Sequence, residues 1–225
     1  MTIEEIMEDF RTLCPGEVII IEYSSLVPVH LAVFIPLITA VDRAGVIVSD
    51  IFDQFHVMRA HLSLGGIDTS WIDEIPVVKF GGTLQTGKVI KRISVLNPTP
   101  VWHTGYLEAL RAFPGLKVVV VLGPEKFMSV NPNIPTSTLC RKLIASSMGS
   151  GDTVTVAFIN RDVVSESTLE DIREIGTRVF ELNFEEGKLV LRVVKSIDPS
   201  HQRCRLSVDA QELVDYLHSI TGAGI

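Results

Sequence analysis

The sequence predicts a single α/β domain over residues 1–225: a mostly parallel sheet with helices on both faces, extended near its C-terminus by an antiparallel hairpin. Three observations predict it. The runs "EVIIIE", "VIVSD", "IPVVKF", "LKVVVVLG" and "DTVTVAFIN" are continuously apolar and β-branched, the pattern of strands covered on both faces. The segments between most of them space their apolar residues helically. After Gly176 the alternation stops, and "RVFELNFEEGKLVLRVVKS" reads as two strands joined at an "EEGK" turn.

Taken in order, Ile3, Ile6, Met7, Phe10 and Leu13 predict a short amphipathic helix that "CPG" ends, before the first strand "EVIIIE". The stretch Leu26–Val41 predicts a helix that is apolar almost all round. Either both of its faces are buried in the domain or one meets another copy, so self-association into a homo-oligomer is an expectation. After "VIVSD", the segment "IFDQFHVMRAHLSLGG" predicts a helix with Ser49 or Asp50 as N-cap and Gly65–Gly66 at its end. "IPVVKF" is a strand, "HTGYLEALRAFPG" a helix with Gly115 at its C-cap, and "LKVVVVLG" the strongest strand signal. "TSTLCRKLIASSMGSG" is a helix, and "STLEDIREIG" another, with Ser167 and Glu170 forming a capping box. "RCRLSV" adds a strand and "DAQELVDYLHSI" a closing helix.

Composition narrows the function classes. Hydrophobic residues make up 46% of the chain and charged residues 21%, enough for a large packed core. The formal net charge of −7 argues against non-specific binding to nucleic acid, whose affinity rests on neutralising phosphates. Lys88, Lys91 and Arg92 form a local basic stretch that could touch DNA, and more simply a solvated face. The cysteines Cys14, Cys140 and Cys204 are odd in number and far apart, which fits a reducing, cytoplasmic setting and suggests neither a disulfide framework nor zinc. The apolar run 26–41 is shorter than the ~20 residues that cross a bilayer, so no membrane span is expected. His56 and His61, five apart, do not share a helical face as a metal pair would, so with Asp53 they make only a faint metal site, and no metal is expected. Cys140, among apolar neighbours, reads as a small buried hydrophobe.

Two stretches carry a family resemblance. "GEVIIIEYSSLVPVHLAVFIPLI" and "RVFELNFEEGKLVLRVVKSIDPSH" resemble the first strand–loop–helix and the C-terminal hairpin of the KaiC/RadA-like branch of P-loop ATPases. "GGIDTSWIDEIPVVKFGGTLQTGKVIKRI" is similar to a small uncharacterised archaeal family with this layout. The resemblance implies a RecA-like three-layer sandwich over nearly the whole chain. It also implies where an ATPase kit would stand, and the departures there are instructive. The phosphate loop is replaced by "EYSSLVPVH", which has no glycine or lysine, and Pro28 has no N–H to donate. The strand that would end in a magnesium-binding Asp ends in Leu122, Gly123 and Pro124, with Glu125 the nearest carboxylate. Where a water-activating glutamate would follow the second strand stand Asp50 and Asp53. Lys195 matches the lysine that reaches a neighbouring subunit's nucleotide, while Ile197 replaces the arginine two positions on.

The expectation is therefore a non-catalytic RecA-like module with no cofactor, binding a protein or peptide and self-associating. Any ligand crevice is expected at the strand carboxyl ends, lined by Tyr23, Ser24, Ser25, Asp50, Glu125 and Asn160. The rival reading makes the chain a divergent ATPase using ATP and Mg. It takes "GTLQTGKV", with Gly82, Gly87 and Lys88 at phosphate-loop spacing, as a displaced cradle whose "VIKRI" opens a helix. Val89 stands where that loop needs Ser or Thr for magnesium.

Overall fold

The computed structural model of the chain describes residues 13–41, 45–129, 135–197 and 205–222. The helix expected over residues 3–13 lies outside them except for Leu13. A nine-stranded sheet forms the middle layer, in the order β4-β3-β2-β5-β6-β1-β7-β8-β9. Its strands are β1 (Val18–Tyr23), β2 (Gly45–Ile51), β3 (Pro76–Phe80), β4 (Lys88–Ile93), β5 (Lys117–Leu122), β6 (Thr153–Asn160), β7 (Arg178–Glu185), β8 (Lys188–Ser196) and β9 (Arg205–Asp209). From β4 to β7 all neighbours run parallel; β8 and β9 add antiparallel.

The helices are α1 (Val29–Val41), α2 (Gln54–Leu64), α3 (Thr99–Arg111), α4 (Thr136–Ile144), α5 (Glu166–Ile175) and α6 (Ala210–Gly222). Alternation along each strand feeds two cores. Ile19, Ile21 and Tyr23 of β1 face α1, α2 and α6, while Val18 and Ile20 face α3, α4 and α5. The chain is thus the expected α/β sandwich of three layers.

Helix α1 settles the question its composition raised. It packs on the sheet between α2 and α6, with Val33, Phe34 and Leu37 wholly buried and Trp71 stacked edge-on against Phe34. Both its faces are covered within the chain, so its composition gives no argument for self-association.

Local chemistry corrects several boundaries. Strand β2 continues through Ser49 and Asp50 to Ile51, so neither is the N-cap of α2; that position falls to Asp53. Asp50 still serves the helix, because its Oδ1 accepts the Phe55 N–H at 2.9 Å. Helix α3 opens at Thr99, with Pro100 in its first turn where a missing N–H costs nothing. Gly115 lies beyond its C-cap, Ala112. Ser165, not Ser167, caps α5, accepting the Thr168 N–H at 3.2 Å. The "EEGK" turn forms as expected, Glu186 and Gly187 both taking positive φ (50° and 81°), the backbone of a tight hairpin.

The candidate site at the strand carboxyl ends

Strands β1 and β6 run side by side until Tyr23 pairs with Asn160, and the chain then leaves β1 through the turn Ser24–Pro28 into α1. This turn is closed on itself. The Val27 N–H donates to Ser24 O at 3.0 Å and the Val29 N–H to Val27 O at 2.7 Å. The Ser25 N–H donates to the Asp162 carboxylate at 2.7 Å. Asn160 holds the two segments together, its side chain donating to Ser25 Oγ at 3.0 Å and accepting the Asp162 N–H at 3.0 Å. Pro28 contributes no N–H. A carboxylate of the same chain therefore accepts the Ser25 N–H of this turn. Beside it, Arg161 is engaged with Glu181 and Asn183.

Next to the turn, Glu125 follows β5 with 2% of its surface exposed, and its Oε2 has no hydrogen-bond partner. Burial pushes its carboxyl up to about 7, against the pull of its own N–H, the Lys126 charge and the Asn160 N–H. Burial, helped by the nearby Glu125 charge, also raises the Tyr23 phenol. The Cys140 thiol, which donates to Pro124 O at 3.5 Å, is raised for the same two reasons, and the residue is the buried small hydrophobe expected. Tyr23, Cys140 and Glu125 thus form a cluster of acids that burial holds towards their neutral forms.

Asp50 stands apart from this cluster, at the end of β2. Lys79 of β3, 1% exposed, bridges Asp50 at 2.7 Å and Asp53 at 2.5 Å. Burial works against the Asp53 carboxylate. The Lys79 bond and the N–H groups of Thr83 and Leu84, at 3.0 and 3.1 Å, outweigh it and hold the carboxyl below its usual range. Phe52 and Asp53 adopt left-handed φ of 52° and 62°, strained for non-glycine residues, to bring Asp53 over this lysine. Of the six crevice residues expected, the structure gathers Tyr23, Ser24, Ser25, Glu125 and Asn160, and places Asp50 in a separate ion cluster. Asp162 lies beside Ser25 and Asn160, and Cys140 packs at Pro124 beside Glu125. Sequence reading missed Asp162 because only the N–H it accepts reveals its role.

The stretch "GTLQTGKV" does not form a cradle. Gly82 lies past the carboxyl end of β3, where a Cβ would collide with the Asp53 carboxylate. Gly87 lies at the opposite end, where a Cβ would press on Val77 Cγ2 at 2.6 Å and Ile75 O at 2.7 Å. Lys88 opens a strand and not a helix, donating its N–H to Ile75 O at 2.8 Å. The loop runs back along β3 to start β4, so its glycines meet the needs of a close return. Lys195 is likewise engaged within the chain. Its ammonium donates to Arg173 O at 2.9 Å and Glu174 O at 3.0 Å, capping the last turn of α5. Lys195→Ala is expected to lower stability by about 1 kcal/mol in urea unfolding, through the loss of those caps. His56 bonds Thr86, His61 rests edge-on against His30, and no group of three metal-type ligands occurs among the described residues.

The sheet order, two-sided helical cover and C-terminal hairpin define a RecA-like core. Similar solved structures agree. The flagellar accessory protein FlaH of Methanocaldococcus jannaschii superposes with a TM-score of 0.52 at 13% identity, over 92% of this chain and 91% of that one. Nearer in sequence is a protein of Pyrococcus horikoshii OT3 studied as project PH0250, with a TM-score of 0.77 at 23% identity, over 92% and 98%. A third is the uncharacterized protein PH0321 of Pyrococcus horikoshii, crystallised with an unknown peptide; its TM-score is 0.59 at 12% identity, over 91% and 97%. The chain itself belongs to the family of Pyrococcus proteins of unknown function DUF257, whose model matches residues 6–207. No curated protein sequence matches it. No helix among the described residues is long and apolar enough to cross a membrane.

Proposed function

We propose that this chain is a non-catalytic RecA-like module that binds a protein or peptide segment. The observation that carries the reading is the bond from the Ser25 N–H to Asp162. A phosphate cradle needs several inward N–H groups and a cation, and here the chain's own carboxylate accepts the Ser25 N–H. The residues do not fit a magnesium nucleotide: the turn lacks lysine, and Asp50 and Asp53 are both engaged by Lys79. A similar fold crystallised with a peptide supports the choice of partner class. The rival reading through Gly82, Gly87 and Lys88 separates its glycines from one another by the length of β3.

Phosphate release from MgATP tests the catalytic half of this reading. The wild type and Lys88→Ala are expected to match the protein-free background. Turnover that Lys88→Ala abolishes would restore the ATPase reading.

A further inference from the structure

The edge of the sheet opposite the hairpin carries features that the site above does not use. Strand β4 closes that edge, and no strand among the described residues pairs with its outer side. Between β4 and α3 runs an open groove of about 580 Å³, lined by Lys91, Arg92, Val101, Trp102, Gly105 and Glu108, among others. Its floor is apolar, Trp102 being buried, and its rim sets the exposed Val101 among the charged Lys91, Arg92 and Glu108. A bulge at Ile90 turns the strand over, since Val77 pairs with Val89 and Val78 with Lys91. Lys91 consequently lies on the α3 side, where it forms a loose, solvent-exposed ion pair with Glu108 at 3.9 Å. Lys88 and Arg92 make no ion pair among the described residues. The chain as a whole is strongly acidic, so this basic edge is local.

Gly105 is the most telling residue. It sits inside α3, where glycine costs about 1 kcal/mol relative to alanine, and a Cβ there would meet only Lys91 Cε at 4.0 Å. Packing does not demand it, yet any larger side chain would project into the groove.

We infer that the groove between β4 and α3 takes an extended acidic peptide, which adds a strand to β4. The inference rests on the peptide-binding reading above and supplies its site. An unpaired strand edge offers alternating N–H and C=O groups, which match a polypeptide and not a sugar–phosphate chain. Charge sets the choice of strand. A basic edge repels a second copy of itself, as edge lysines commonly do, while attracting alternating carboxylates. Nucleic acid is disfavoured because the groove's one large aromatic ring, Trp102, is buried and cannot stack on a base.

The test is fluorescence anisotropy with a labelled peptide alternating Glu and Val. Three probes run beside it: the Lys–Val counterpart, a Glu–Val peptide N-methylated at alternate residues, and a thymine oligonucleotide. The Glu–Val peptide alone should bind. Lys91→Glu with Arg92→Glu should weaken it about tenfold or more, and Gly105→Leu, which plugs the groove without changing charge, should do the same. Circular dichroism of both variants should match the wild type, and amide exchange should slow in residues 88–93 when peptide is added. Binding that both variants leave unchanged overturns the groove assignment while leaving a peptide-binding module elsewhere on the chain. Failure of the Glu–Val peptide to bind, equal binding of the N-methylated peptide, or binding of the oligonucleotide in its place overturns the inference as well. The reading as a non-catalytic module is tested separately, by phosphate release from MgATP and by nucleotide titration.

Discussion

Lys79→Met is expected to destabilise the protein by about 3–5 kcal/mol, measured by chemical denaturation at neutral pH. Among the described residues the lysine is the one counter-charge of Asp50, which is fully buried, and it also holds Asp53 over the Gly81–Leu84 return. Removing it leaves a buried carboxylate whose one remaining partner shown is the Phe55 N–H. The loss should shrink when Asp50→Asn is added, since the second change removes the stranded charge. A cost below about 1 kcal/mol for Lys79→Met alone would contradict this description of the cluster.

Glu125→Gln is expected to change how stability depends on pH. The folded carboxyl is raised from 4.5 to about 7, so the folded chain holds a proton that the unfolded chain releases. Below the unfolded value both states are protonated and Glu125 carries no penalty. Between about 4.5 and 7 the unfolded state ionises first, and stability falls as pH rises, by up to about 3 kcal/mol in total. Above about 7 the loss levels off. Glutamine cannot ionise, so the variant should lack that decline and exceed the wild type in stability at pH 8 by a margin absent at pH 4. Parallel pH profiles of urea unfolding would show that Glu125 does not titrate as its burial demands.

Much of the fold was legible in the sequence because buried parallel strands have an unambiguous signature. "EVIIIE" and "LKVVVVLG" are apolar at every central position, and only a strand covered twice needs that. Strand β4 was not legible. Lys88–Ile93 carries three basic residues, and a parallel return commonly needs a dozen residues or more, whereas Gly81–Gly87 makes it without a helix. Helix α2 began later than its capping signals implied because Asp50 serves the helix from inside a strand. The site was legible in part: strand ends can be located from sequence, so Tyr23, Glu125 and Asn160 were placed together. Asp162, Lys79 and Lys195 act through long-range bonds to the Ser25 N–H, two carboxylates and two helix carbonyls. Such pairings depend on how the sheet is ordered, which no local pattern encodes.

The central claim is that the β1–α1 turn is a poor nucleotide cradle because it has neither glycine nor lysine, Pro28 has no N–H, and the Ser25 and Val27 N–H groups already bond within the chain. Titration calorimetry of the full chain with MgADP and MgATP tests it most directly. The expected result is no binding heat up to millimolar nucleotide. Micromolar binding that is sensitive to changes in the Ser24–Pro28 turn would contradict it and make this core a working nucleotide site.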